Sequence, residues 1–195
     1  MAEPTHSDIT LLLEGTYPFV RGGVSGWVHQ MIRAFPQRRF AIVNLGAHRE
    51  DLGEQRYELP SNVVHMECHF LLDPAPAGRV SARRGDAQAF DRVAQLHTQL
   101  QQPGACPVPD LGALLRDMLP GGRLQLEDFL HAERAWDQIC EAYEQRCTDP
   151  SFVDYFWTVR NMHTPLWKLA HIANSLRTTR ALHAVSTGYA GFLGA

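Results

Sequence analysis

Four short runs of apolar residues along the chain are typical of buried β-strands. They are residues 8–14 (DITLLLE), 39–45 (RFAIVNL), 62–72 (NVVHMECHFLL) and 181–185 (ALHAV). The first run is nearly continuous in apolar character, as expected for a strand that is covered on both faces of a parallel sheet. Helical patterns separate the runs. This alternation predicts an α/β fold, a Rossmann-like parallel sheet with helices on both faces.

The first predicted strand leads through a glycine-rich turn into an amphipathic segment. Four glycines lie in or beside this turn, at positions 15, 22, 23 and 26. Apolar residues then recur at steps of three and four from Val24 to Phe35, which predicts a helix with one buried face. Pro36 is expected to end this helix.

Helical spacing also dominates the region between the third and fourth runs. Three stretches show it: residues 87–100, 111–118 and 126–147. Ser151, with Asp154 three residues later, predicts the N-cap of a further helix. Thr164 and Pro165 predict the N-cap and the first residue of another. The sequence therefore predicts a helical block inserted at about residues 87–175.

The composition indicates a folded chain without the surplus of positive charge that nucleic-acid binding requires. Of the 195 residues, 45% are hydrophobic, and the formal net charge is -3. Nucleic acid is therefore not an expected partner. No apolar run approaches the roughly 20 residues of a membrane span, and the cysteines form no C-x-x-C pair, so we expect a cytoplasmic chain. Two Pro- and Gly-rich stretches, residues 74–85 and 102–109, are expected to be surface loops.

The glycines before the first helix suggest a seat for an anion. A helix N-terminus presents unpaired N–H groups and about half a positive charge, and glycines let an anionic group approach without meeting Cβ atoms. The same glycines can instead serve only a tight crossing from strand to helix. The segment RGGVSG is neither G-x-G-x-x-G nor a P-loop, and the second run ends near Asn44 without an acidic residue. A nicotinamide enzyme and a nucleoside triphosphatase are therefore disfavoured.

Histidines offer few candidates for other chemistry. His65, Glu67 and His69 share one face of the third run, a spacing that can ligate a metal. We expect helices to cover that face, no fourth ligand is evident, and we predict no metal site. His183 lies near the expected edge of the site, and packing within its strand is favoured over a catalytic role.

Four stretches read together carry a more specific signal than the glycines alone. They are LLLEGTYPFVRGGVSGWVHQMI, LPSNVVHMECHFL, SFVDYFWTVRNMHTPLWKLA and HAVSTGYAGFLGA. In this order they resemble the N-terminal region of the PelF-type glycosyltransferases, family-4 enzymes of Pel exopolysaccharide synthesis. The resemblance implies a GT-B architecture, with residues 1–195 as part of the acceptor-side N-terminal half. It also implies that the C-terminal half, which binds the nucleotide sugar, is not in this chain.

The resemblance implies a set of binding residues at the carboxyl ends of the strands. Gly22 and Gly23 match the loop whose amides face the donor diphosphate, and the adjacent Arg21 has a planar fork of donors suited to phosphate or an acceptor hydroxyl. Tyr17 and Tyr189 can stack on sugars, or both can pack locally while Arg21 stays a solvated charge. Two hydroxyls follow the fourth run, those of Ser186 and Thr187. For Thr187 we favour a role as a helix cap.

The function that the resemblance implies is hexose transfer. We expect the N-terminal part of a retaining glycosyltransferase that moves a hexose from a nucleotide sugar, UDP-glucose, to a growing exopolysaccharide, without a further cofactor. Such chemistry needs positioning and charge stabilisation from this half, so no catalytic residue is assigned and the chain alone is expected to be inactive. The expected partners are the nucleotide sugar, the acceptor glycan and a membrane-bound polysaccharide synthase complex.

Two other interpretations stay open. A non-catalytic module would bind the acceptor glycan or dock to the synthase complex through the aromatic helices of residues 152–167, and exposure of Trp157 and Trp167 would favour it. A stand-alone Rossmann oxidoreductase would bind NAD.

Overall fold

A four-stranded sheet in which every pair of neighbours is parallel forms the centre of the fold. The computed structural model describes residues 6–73, 83–100, 111–146, 151–176 and 179–194. The strands are β1 (Ser7–Glu14), β2 (Phe40–Gly46), β3 (Val63–Phe70) and β4 (Thr179–Ala184), in the order β3-β2-β1-β4. Each lies within about two residues of its predicted bounds. The predicted α/β fold with a Rossmann-like parallel sheet is confirmed.

Eight α-helices are present in the described part of the chain, and one 3₁₀ turn (Arg49–Asp51) follows β2. The helices are α1 (Gly23–Ala34), α2 (Ala87–Leu100), α3 (Leu111–Met118), α4 (Leu126–His131), α5 (Glu133–Arg146), α6 (Phe152–His163), α7 (Pro165–Ser175) and α8 (Tyr189–Gly194). The chain divides into two compact units. The sheet unit is residues 1–75 with 172–195, and the helical unit is residues 76–171.

Side-chain alternation along β1 explains how the sheet unit is covered on both faces. Leu11 and Leu13 point to one face, where they pack in a cluster with the fully buried Val28 and Ile32 of α1. Leu12 points to the opposite face, as the period of two along a strand requires. There Gly194 of α8 lies against its side chain. The apolar run of β1 is thus buried by a helix on each side.

An aromatic and aliphatic core holds the helical unit together. Trp167 of α7 stacks on Phe129 of α4 with 5.1 Å between ring centroids, and its indole N–H donates to the carbonyl of Leu124 at 2.7 Å. The start of α6 is capped as predicted, because the hydroxyl of Ser151 accepts from the backbone N–H of Asp154 at 3.3 Å. Both contacts satisfy polar groups that burial or a helix end would otherwise leave unpaired.

Two predicted helix boundaries are wrong. The helix predicted over residues 126–147 is interrupted at Ala132, which is extended (φ -82°, ψ 143°) and forms a parallel bridge with Arg83. Pairing with a distant strand-like segment has overridden the local helical pattern. Thr164 is not an N-cap: it has helical torsions and its hydroxyl donates to the carbonyl of Arg160 at 2.7 Å, so it is the C-cap of α6.

Several predictions fall outside the described residues. Both predicted surface loops lie largely there, in residues 74–82 and 101–110, and so does Cys147. Among the described residues, no helix combines the length and the apolar character that crossing a membrane would need.

Candidate functional site

The strand order identifies where this sheet has a crevice suited to a ligand. The chain moves from β1 outward to β2 and β3 on one side and returns to β4 on the other. Loops after β1 and β4 therefore leave the same edge and diverge to opposite sides, which is the arrangement at which parallel α/β sheets bind ligands. The loop after β1 is residues 15–22 and the loop after β4 is residues 185–188.

The glycine turn at the end of the first loop leaves the start of α1 open. Gly22 (φ 82°) and Gly23 (φ 49°) have left-handed backbone torsions, and a Cβ atom at either position would have no neighbour within 4 Å. Gly22 is the N-cap of α1 and provides no side chain to pair with the first-turn N–H groups. Gly23 and Val24 are exposed, and no side chain of the described residues caps their amides, which lie at the positive end of a 12-residue helix.

One donor of this turn is already used. The N–H of Gly22 donates to the hydroxyl of Tyr57 at 2.9 Å. Tyr57 itself is held because its own N–H donates to the carbonyl of Pro18 at 3.3 Å. The segment after β2 therefore supports the turn, and the amide of Gly22 is no longer free to bind a ligand. Arg21, exposed beside the turn, makes no ion pair within the described residues and is available to an anion.

Tyr17 is a core residue of the loop, in agreement with the alternative that it packs locally. Its side chain is fully buried, and its hydroxyl lies 3.1 Å from Nδ1 of His29. The amide Nδ2 of Asn44 donates to the carbonyl of Tyr17 at 3.0 Å, while the ring lies 5.4 Å from that of Tyr57. No face of the Tyr17 ring is open to a sugar in this arrangement.

Burial makes the Tyr17 phenol a source of alkaline instability. It raises the pKa of Tyr17 from 10.0 to about 12, and the neighbouring Tyr57 adds to the rise. The unfolded chain loses this proton near pH 10, so stability present below that pH should fall as the pH rises towards 12. Urea unfolding at about pH 9 and about pH 11 should show a smaller loss in Tyr17→Phe than in the wild-type chain. Equal losses in the two proteins would contradict this assignment.

The start of α8, which follows the loop after β4, is capped by a residue that the sequence analysis did not identify. The N–H of Ala190 donates to Oε1 of Glu14 at 2.5 Å, so the carboxylate at the end of β1 closes the start of α8. Thr187, predicted as the cap, is exposed. Tyr189 is half-buried, and its pKa is raised by burial and then by Glu14. At each of the two loops one backbone amide therefore already donates to a side chain, that of Gly22 to Tyr57 and that of Ala190 to Glu14.

The carboxylate of Glu14 occupies the space that a side chain at position 188 would need. A Cβ atom there would lie 2.7 Å from both carboxylate oxygens of Glu14. Gly188→Ala should therefore push the carboxylate away from Ala190 and lower the free energy of unfolding by about 1 kcal/mol, as the loss of a cap does. In a Glu14→Ala background the same change should cost little, since the displaced group is gone. Additive losses in the double variant would exclude this coupling.

Three buried side-chain oxygen atoms near the carboxyl ends of the strands have no hydrogen-bond partner among the described residues. They are Oγ1 of Thr16 after β1, Oδ1 of Asn44 near the end of β2, and Oγ of Ser186 after β4. Buried polar atoms are usually paired, so these three oxygens are places where an ordered water could supply the missing partner.

A comparison with protein families identifies the family of this chain. The family model described as a domain of unknown function, DUF3492, matches residues 7–195. The chain belongs to the DUF3492 family. Searches against curated proteins and against solved structures found no match.

The histidines of this DUF3492 chain do not gather into a further centre. His65 and His69 flank Glu67 on one face of β3, with each Nε2 atom 3.6 Å from a carboxylate oxygen. No group of three or more such side chains in the described ranges is arranged to hold a metal ion. On β4, the ring of His183 lies 6.0 Å from that of Trp27, and both side chains are exposed.

Sequence analysis missed two residues that shape the candidate site, Glu14 and Tyr57. Glu14 ends the first apolar run, and the position after a buried strand is a signal that could have found it. Tyr57 lies 35 residues from its partner Gly22 in a segment without periodicity, and no pattern points to it. The second strand also continues past Asn44 to Gly46, so Asn44 is a fully buried strand residue rather than the strand's end.

Proposed function

We propose that this chain is the N-terminal part of a retaining glycosyltransferase. The enzyme transfers a hexose from a nucleotide sugar, UDP-glucose, to a growing exopolysaccharide. The observation that carries the proposal is the open, glycine-lined start of α1 beside the β1–β4 crevice.

The chemistry of that opening suits a diphosphate. Free N–H groups and the helix dipole attract an anion directly, so binding does not depend on a metal ion held by carboxylates. Arg21 adds an exposed cation at the same turn, with no ion pair in the part of the chain that the structure describes. Transfer from a nucleotide sugar develops negative charge on the leaving diphosphate, so donors aimed at it from this side lower the barrier. Gly22, Gly23 and Arg21 position and stabilise charge, and no residue of this chain is assigned as a base.

The family assignment agrees with this chemistry. DUF3492 is associated with glycosyltransferase-like proteins. The matched residues 7–195 contain all four stretches that resemble the PelF-type enzymes. On this proposal the acceptor is a glycan, the partner is a membrane-bound synthase complex, and the protein works in the cytoplasm.

Ligand-dependent thermal stability tests the proposal. The melting temperature of the 195-residue chain is measured with NAD, UDP and UDP-glucose at millimolar concentration. UDP and UDP-glucose should raise it, because binding to the folded state alone stabilises that state. Stabilisation by NAD alone would favour the oxidoreductase and remove the basis for sugar transfer.

A second candidate function has one observation in its favour. Trp157 of α6 is 57% exposed and Trp136 of α5 is 52% exposed, whereas Trp167 is buried. Exposed indoles suit a non-catalytic module that binds glycan or docks to a synthase complex. The protein that contains this chain, incubated with UDP-glucose and acceptor glycan, separates the two functions: release of UDP coupled to glycan extension supports the transferase, and glycan binding without turnover supports the module.

A further inference from the structure

The helical unit contains a half-buried arginine, Arg160, whose guanidinium lies among aromatic rings. Arg160 of α6 is half-buried, and its guanidinium stands 4.9 Å from the ring of Phe156 and 5.7 Å from that of Phe129. Its Nη2 donates to the carbonyl of Leu130. Within the described part of the chain no carboxylate pairs with it, and its Nε is shielded without a partner. Burial lowers the pKa of Arg160.

Arg160 lines a groove whose walls are formed by residues of α4, α5 and α6. The groove has a volume of about 230 Å³. Trp136 presents a half-exposed indole at one side, against Phe156 at 5.9 Å between centroids. Glu133, an exposed carboxylate, lies on the same lining. The groove thus combines an aromatic side chain, a guanidinium group and an exposed carboxylate.

This combination selects a class of ligand. The guanidinium donates to hydroxyl oxygens, the carboxylate accepts from hydroxyl groups, and the indole covers an apolar C–H face. Arg160 and Glu133 give the lining one formal positive and one formal negative charge, so the groove has no net charge that would select an anion over a neutral ligand. A partner helix would need a longer apolar groove with anchors at successive turns.

We propose that the groove formed by Trp136, Glu133 and Arg160 binds a neutral hexose unit of a glycan. The ring lies against the indole of Trp136, and its hydroxyl groups pair with Arg160 and Glu133. This binding goes beyond the proposed sugar transfer, because it requires neither the glycine turn nor a nucleotide. Either function above would use it to hold an acceptor glycan.

Titration of the full chain with defined oligosaccharides tests the groove. The probes are cellotetraose, maltotetraose, chitotetraose and, as an anionic comparison, tetragalacturonate, with tryptophan fluorescence and calorimetry as readouts. At least one neutral tetrasaccharide should bind saturably. Trp136→Ala should weaken that binding about tenfold or more, as removal of a central aromatic anchor does. Glu133→Gln and Arg160→Lys should weaken it less, since each keeps the size of the side chain.

Trp157 provides the matched control, because it is a comparably exposed tryptophan of the helical unit that does not line the groove. Trp157→Ala should leave sugar binding unchanged, and circular dichroism should show both alanine variants folded. Three results would overturn the proposal: no binding of any neutral probe, binding of tetragalacturonate alone, or equal loss in the two alanine variants. Self-association that Trp136→Ala abolishes, without sugar binding, would instead assign the groove to a second copy of the chain.

Discussion

Replacing Asn44 by aspartate should lower the free energy of unfolding by about 3 kcal/mol at neutral pH. Asn44 is fully buried in β2, and its Nδ2 donates to the carbonyl of Tyr17 at 3.0 Å. The substitution keeps the shape but exchanges the donor for an oxygen that repels this carbonyl. Among the described residues Oδ1 of Asn44 already lacks a partner, so a carboxylate there would find no donor to stabilise it.

The pH dependence of this loss identifies its cause. A buried carboxyl is neutral in the folded state, and its protonated form can donate to Tyr17, so the loss should shrink as the pH falls from about 8 towards 5. Asn44→Leu removes the donor without adding an ionisable group, and its cost of about 1–2 kcal/mol should not change with pH. Urea unfolding of both variants across this range is the measurement. A pH-independent loss in Asn44→Asp would show that the position is hydrated rather than buried.

Replacing Val24 by glutamate should weaken the binding of UDP-glucose about tenfold without reducing stability. Val24 is 43% exposed and lies in the first turn of α1, next to the open amides. A carboxylate at a helix N-terminus stabilises the helix, so the free energy of unfolding should stay the same or rise. The same charge repels a diphosphate. Stability and affinity therefore move in opposite directions, which general damage to the fold cannot produce.

Val24→Gln is the control, because it matches glutamate in size without the charge. Its affinity for UDP-glucose should equal that of the wild-type chain, and the difference between the two variants should shrink in high salt as the charges are screened. Calorimetric titration at low and high salt measures both. Equal affinities of the two variants at low salt would mean that the donor phosphate lies elsewhere. Gly23→Val is a poorer probe, since its φ of 49° would strain a β-branched residue.

The apolar pattern was sufficient to predict the sheet. Strands such as β1 are buried on both faces, and continuous apolar runs bounded by turns have few alternatives in a chain of alternating helices and strands. Ser151 was predictable for a related reason, because an N-cap depends on the next three residues alone.

Long-range contacts explain most of what the sequence did not predict. Ala132 breaks a helical pattern because its backbone pairs with Arg83, and Glu14 caps α8 across 176 residues. Neither contact leaves a periodic trace in the sequence. At the candidate site the glycines were predictable from their torsional freedom, since Gly22 and Gly23 do adopt positive φ. The inward orientation of Tyr17 was not, because composition does not determine which way a loop side chain points.

Amide chemical shifts of the chain titrated with UDP-glucose test the central claim, that the open start of α1 receives a diphosphate. The account predicts saturable shifts at Gly22, Gly23 and Val24, with smaller shifts in residues 186–189 across the crevice, and the same pattern with UDP. Shifts confined to other regions, or no shift at millimolar ligand while the chain remains folded, would contradict it.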